Sequence, residues 1–154
     1  MKSNCDVRPA RPEDRAAFLA MWRDFVALAP DEPGNHAVGE LNWDRIMDPE
    51  CGLDCLIACV PQDQPIGFTL YLSFPFTWSE GDACYLQDIY VHADHRGKGI
   101  ARTMIADLAA IGSRKGWYKI FWMTQADNYT AQRLYDKVAR RMDYIRYDLV
   151  VGKP

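Results

Sequence analysis

The chain has 154 residues, of which 49% are hydrophobic and 25% charged, and its net charge is −3. That length and balance fit a single globular domain, 1–154, with one core and no disordered region. A mildly acidic balance argues against nucleic acid as the main ligand, which wants a basic face, and is compatible with a cationic amine substrate. No apolar run approaches the roughly 20 residues of a membrane span, and 1–6 lacks the apolar centre of a signal peptide, so the expectation is a cytoplasmic protein without nucleic-acid or membrane partners.

The elements follow in chain order. Cys5 to Pro9 reads as a first strand. Pro12 suits the start of a helix whose apolar face is Phe18, Met21, Trp22, Phe25 and Leu28. Residues 29–34 (Ala-Pro-Asp-Glu-Pro-Gly) break it. A weaker helix spans Asn35 to Ile46 with Val38 and Leu41 inward, and Asp48-Pro49-Glu50 is a turn. Strands follow at Asp54 to Val60, Ile66 to Phe74 and Ala83 to Val91, with a polar turn at Pro61 to Pro65 and a loop at Pro75 to Gly81. A helix runs from the Gly97–Gly99 loop to about Lys115, and Gly116 turns the chain into the strand Trp117 to Met123. Asn128 caps a helix ending near Arg140, and Tyr144 to Val151 alternates as a last strand. The order β-α-α-β-β-β-α-β-α-β predicts an α/β (α+β) fold, a mixed central sheet with helices on both faces.

Cysteine and histidine add no metal site. Five cysteines without an export signal do not suggest a disulfide framework, and Cys51-x-x-x-Cys55-x-x-x-Cys59 has the wrong spacing for zinc. In their strand Cys55 and Cys59 share a face with Ile57 and pack as small hydrophobes. His36, His92 and His95 form no cluster, and Cys84 has no evident histidine partner that would make it a nucleophile.

The chemistry is concentrated at Val91-His92-Ala93-Asp94-His95-Arg96-Gly97-Lys98-Gly99-Ile100-Ala101. A strand runs into a loop with two glycines, and a helix with Ile100, Met104, Leu108 and Ile111 at helical spacing follows at once. The first N–H groups of a helix have no intrahelical partner, so such a loop is an anion site. Neither the P-loop pattern nor the dinucleotide glycine fingerprint is present. What remains is Arg96-x-x-Gly99-x-Ala101, with Asn128-x-x-Ala131-x-x-x-Tyr135 in a later helix.

These two motifs resemble those of the GCN5-related N-acetyltransferases. The rows Leu86-Gln87-Asp88-Ile89-Tyr90-Val91 and Ala131 to Val138 look closest to the polyamine and the fungal histone or D-amino-acid acetyltransferases. The resemblance covers nearly the whole chain. It implies that acetyl-CoA is the co-substrate, without a metal, and that the fourth and fifth strands splay to admit its pantetheine arm. Its binding would involve Ile89, Tyr90, Val91, Arg96, Gly97, Lys98, Gly99, Ile100, Ala101, Asn128 and Tyr135. A backbone N–H near Ile89 or Tyr90 would meet the developing oxyanion, and Tyr135 would protonate the leaving thiolate, as a phenol of pKa about 10 can.

The polyamine-type enzymes carry Leu-Glu-Asp where this chain has Leu86-Gln87-Asp88. A glutamine amide positions a water but takes no proton at neutral pH. The base is therefore open among Asp88, Asp82, Glu80 and a water relay, with Gln87 as a water-positioning residue. In a regular strand Asp88 faces away from Gln87, and only a bulge changes that. Trp43, Phe76, Trp78 and Tyr85 form a candidate aromatic wall for a cationic acceptor, with Phe74 near them. Glu40, Asp44, Glu80 and Asp82 are candidate partners for a second amine. The reading is direct acetyl transfer to a primary amine of a small molecule in a ternary complex. Peptide or histone-tail acetylation and a non-catalytic acyl-CoA-binding role are the alternatives. The family resemblance also implies a homodimer joined at the last strand.

Overall fold

The computed structural model describes residues 5–29 and 36–152. Beyond Ala29, the expected helix break lies outside the described residues, and so does the His36 side chain. Contacts divide the chain into two units, Met1–Trp122 and Met123–Pro154.

The first unit holds β1 (Asp6–Pro9), α1 (Arg15–Val26), α2 (His36–Met47), β2 (Asp54–Val60), β3 (Gln64–Phe74), β4 (Ala83–Val91), α3 (Ile100–Lys115) and β5 (Lys119–Phe121). The strands form one mixed sheet in the order β1-β2-β3-β4-β5. The first three pairings are antiparallel and the last, β4 with β5, is parallel. A parallel pairing needs a crossover, and α3 supplies it.

The middle of the sheet is buried on both faces, as the apolar runs of β2 and β3 require. Cys55, Ile57 and Cys59 face α1 and α2, where Phe18, Met21, Trp22, Trp43, Phe68 and Tyr90 complete the larger core. The Phe18 ring lies 5.3 Å from Trp43 and 5.2 Å from Phe68, which stacks on Tyr90 at 5.6 Å. Ala58 and Ile66 belong to a second cluster with Ile100 and Met104 of α3. Burial pushes the Cys59 and Cys84 thiols up to about 11 and about 12, so both are inert packing groups.

Several expected details shift. Pro12–Asp14 is a single 3-10 turn ahead of α1, and α1 closes before Leu28, which is exposed. On α2 the buried large hydrophobic residue is Trp43, while Leu41 faces solvent. Gly39 lets α2 approach α1: a Cβ there would sit 2.4 Å from the Trp22 ring. Strand β5 is paired over three residues only.

The second unit carries α4 (Tyr129–Val138), capped by the Asn128 side chain, which accepts from the Ala131 N–H at 3.2 Å. The expected last strand, Tyr144 to Val151, does not form; 139–152 has no regular secondary structure. Alternation makes a strand only where a sheet edge meets its N–H and C=O groups, and here these residues are solvent-exposed. The mixed α/β fold therefore stands without its tenth element.

An ion cluster fastens the start of the chain. Both Asp14 oxygens accept from Arg8, at 2.7 and 2.9 Å, and one also accepts from the Arg11 N–H at 2.8 Å. Arg8 donates to Asp63 as well, at 2.7 Å, tying β1 to the turn between β2 and β3. The Arg8 guanidinium holds the Asp14 carboxyl below its usual range. Asp14 is 4% exposed, so Asp14→Ala is expected to cost about 2 kcal/mol by removing charged hydrogen bonds and leaving Arg8 with Asp63 alone. Because the folded carboxyl titrates low, that contribution is present above pH ~4 and lost as pH falls through the lowered value. Urea unfolding of both proteins at pH 7 and at pH 3 checks this: the gap in stability should narrow at the lower pH.

Candidate active site

The site begins with a mismatch in pairing. On one edge β4 bonds to β3 from Ala83 to Val91. On the other edge only Ala83, Cys84 and Tyr85 pair with β5. From Leu86 to Val91 β4 parts from its pairing with β5, which ends at Phe121. The His92 N–H donates to the Ile66 carbonyl at 2.8 Å, on the β3 side. Alternation along an antiparallel strand then turns the Tyr90 N–H towards β3 and the N–H groups of Ile89 and Val91 towards the parted edge. The Tyr90 side chain is committed elsewhere: it is core, with its hydroxyl donating to Asp24 at 3.5 Å.

The glycine loop lies at the end of this strand. Gly97 and Gly99 have φ of +74° and +79°, the left-handed region that glycine occupies without penalty. The Arg96 N–H closes the preceding turn on the Ala93 carbonyl, and the Thr103 N–H reaches the Gly99 carbonyl at 3.0 Å. Among the described residues, the N–H groups of Gly97 to Arg102 find no main-chain acceptor between those two bonds. A loop and helix start with free donors is what an anion requires. Arg96 folds back, Nε donating to the Val91 carbonyl at 2.9 Å with its guanidinium over the Tyr90 ring. Lys98 Nζ donates to the Asp94 carbonyl at 2.8 Å. Both exposed cations are thus tethered to the loop backbone.

A cleft of about 210 Å³ opens on the α2 side of β4. Its position follows from a bulge. Leu70 pairs with Asp88 but Tyr71 pairs with Leu86, so Gln87 is an extra residue on β4. The bulge brings Gln87 and Asp88 to one cleft wall, with Leu70 and Leu72 of β3 beside them. Asn42 and Arg45 of α2 form the facing wall. Burial pushes the Asp88 carboxyl up to about 6.

The family model described as Acetyltransferase (GNAT) family matches residues 16–139. The chain belongs to the GNAT acetyltransferase family. It is an N-acetyltransferase, and its named relatives agree. A D-amino-acid N-acetyltransferase of Saccharomyces cerevisiae is 28% identical over 146 residues, covering 92% of this chain and 88% of its own. A thialysine N-epsilon-acetyltransferase of Mus musculus is 30% identical, covering 71% and 68%. Among solved structures, a ribosomal-protein-alanine N-acetyltransferase from Brucella melitensis superimposes with a TM-score of 0.79 at 25% identity, covering 96% of this chain and 99% of its own.

The structure separates the residues that the GNAT motifs single out. Gln87 and Asp88 meet in the cleft, and Ile89, Val91 and Arg96 to Ala101 line the parted edge and the loop. Asp82 and Glu80 lie outside the cleft lining, and Glu40 is ion-paired with Arg15 on α1. The aromatic wall does not assemble there. Trp43 is 3% exposed in the core against Phe18, Phe76 stacks on Tyr118, Tyr85 stacks on Phe121, and Trp78 is 88% exposed. In the second unit Asn128 caps α4, while Tyr135 is half-buried, which raises its phenol pKa. Asn42 and Arg45 were not foreseen, because a polar pair three residues apart on a helix reads as a solvated face.

The loop geometry gives a graded test at Gly99. Gly99→Ala adds only a methyl in open space at positive φ, with a strain of about 1–2 kcal/mol. Gly99→Glu adds a negative charge at the free donors. Calorimetry with coenzyme A on the folded variants is expected to show weakened binding for alanine and none for glutamate.

Proposed function

We propose that this enzyme transfers the acetyl group of acetyl-CoA to a primary amine of a small molecule, by direct attack in a ternary complex. The observation that carries the reading is Asp88, turned into the cleft by the β4 bulge and raised to about 6. A carboxyl with that value is ionised at neutral pH and still basic enough to take a proton, directly or through a water positioned by Gln87. The glycine loop suits the pyrophosphate of the donor. The acceptors named for the relatives, D-amino acids and thialysine, favour a small molecule over a peptide.

The steps balance in protons and bonds. Asp88 accepts a proton from the acceptor ammonium. The freed lone pair forms a C–N bond at the thioester carbon, while the Ile89 N–H, directed to the parted edge, stabilises the oxygen charge. The C–S bond then breaks, the attacking nitrogen sheds its second proton and the thiolate gains one, an exchange for which the motif resemblance offers the Tyr135 hydroxyl, which ends protonated as it began. A phenol raised by burial remains protonated at working pH, as an acid must. No covalent acetyl-enzyme is needed.

Asp88→Asn is expected to lower kcat/KM by about 10²–10⁴-fold and to remove an acid limb near pH 6 from its pH profile. Its thermal midpoint at pH 8 should not fall, because burial disfavours the charged carboxylate that asparagine replaces. Tyr135→Phe should reduce kcat and leave coenzyme A affinity in place. An unchanged profile in Asp88→Asn would reject Asp88 as the base.

Two copies are proposed to join through 144–151. Tyr144, Tyr147, Leu149 and Val151 are 83%, 90%, 88% and 91% exposed, and a run of that kind marks an interface. Its alternation suits pairing along strand edges. Sedimentation should give twice the 17.6 kDa chain mass, and Leu149→Lys should give one chain.

A further inference from the structure

We propose that the acceptor is an amino acid whose carboxylate is held by Arg45, so that Arg45 sets substrate class. The inference rests on the transferase reading above and names the chemistry of its acceptor.

Among the residues that line the cleft, two carry formal charge: Arg45 from α2 and Asp88 from β4. They do not neutralise each other, since no ion pair joins them among the described residues. Arg45 is nevertheless oriented. Its Nη1 donates to Asn42 Oδ1 at 3.1 Å, and Asn42 is 7% exposed, fixed one turn back on the same helix. A guanidinium has five N–H donors, and this bond uses one. The remaining fork suits a carboxylate, which it can bind through two parallel hydrogen bonds.

One small cleft thus presents a cation on one wall and a carboxyl on the other. The ligand that complements both carries an ammonium and a carboxylate. The ammonium belongs beside Asp88, where its proton is to be removed, and the carboxylate beside Arg45. The volume, about 210 Å³, equals roughly seven waters and suits a single small molecule. Leu53, Leu70 and Leu72 give an apolar wall for an uncharged side chain.

The same arrangement selects against polyamines. A diamine would bring its second ammonium towards Arg45, and the like charges disfavour that ligand. The acidic residues that a second amine would need are elsewhere, with Glu40 already engaged by Arg15.

The test compares leucine (both enantiomers), leucinamide, isoamylamine and putrescine in wild type, Arg45→Gln and Arg45→Lys, with acetyl-CoA turnover read as thiol release. Rates are taken across pH so that each amine is compared in its neutral form. Wild type is expected to favour leucine over leucinamide and isoamylamine by about 10- to 100-fold, the worth of a charged hydrogen-bonded pair. Arg45→Gln should erase that preference and raise activity on putrescine, and Arg45→Lys should keep part of it. Equal efficiency on leucine and leucinamide in wild type, or an unchanged preference in Arg45→Gln, would overturn the proposal. Binding is read separately through Cys51, an exposed thiol on the cleft lining, by mass spectrometry after alkylation. Leucine should protect Cys51 in wild type and not in Arg45→Gln, whereas isoamylamine should protect neither. Protection without turnover of any amine would refute the transferase reading and uphold the carboxylate site. Turnover without leucine-specific protection would do the reverse.

Discussion

Strand β4 is bonded along its whole length on one side and over only three residues on the other, and the site is built on that inequality. A central strand normally satisfies both edges, because an unmet buried N–H or C=O is costly. Here, among the described residues, the second edge has no strand partner from Leu86 onward, next to the loop in which Gly97 to Arg102 also lack main-chain partners. One end of the sheet therefore presents two sets of donors, one on a strand edge and one at a helix start. The crossover helix α3 produces both. It must leave β4 and return beside it as β5, and its own first turn supplies the loop donors.

The open edge is held by the packing behind it. Phe18, Trp22, Phe68 and Tyr90 form a continuous aromatic cluster between the sheet and α1, with Trp43 of α2 against Phe18. Tyr90 belongs to this cluster by its ring and to the open strand by its backbone. Its burial fixes β4 while the neighbouring residues Ile89 and Val91 keep their N–H groups turned outward. On the same strand Asp88 is a local cost, a carboxyl drawn out of water by burial, with no hydrogen-bonded partner found among the described residues. Such a group weakens the fold where it sits, and the surrounding core must offset it. The same burial raises its basicity, which is the property amine deprotonation uses.

The helices on the cleft side add the second charge. Trp43 anchors α2 by its buried face, and Asn42, its neighbour in sequence, is buried enough to steady Arg45. Orientation of the cation thus depends on the packing of an indole that lies outside the cleft lining. The Gln87 bulge depends likewise on where β3 places Leu70 and Tyr71.

Much of this molecule is local in origin and was readable from residue order. The periodicity of α3, the run of β2 and β3, the left-handed glycines before Ile100 and the Asn128 cap each follow from the needs of a few adjacent residues. The family motifs at Arg96–Ala101 and at Asn128/Tyr135 are of the same kind. What only the tertiary structure decided involves partners distant in the chain. That both Asp88 and Gln87 reach the cleft rests on a register shift against β3, and a strand's own sequence does not record the register of its neighbour. Whether Trp43 lines a pocket or fills a core rests on Phe18, twenty-five residues earlier. Whether Tyr144 to Val151 is a strand rests on an edge to pair with, since alternation states a preference and hydrogen-bond partners realise it. Arg45 was silent in the sequence for the same reason: a cation on a helix becomes a binding group only when packing sets it opposite a carboxyl.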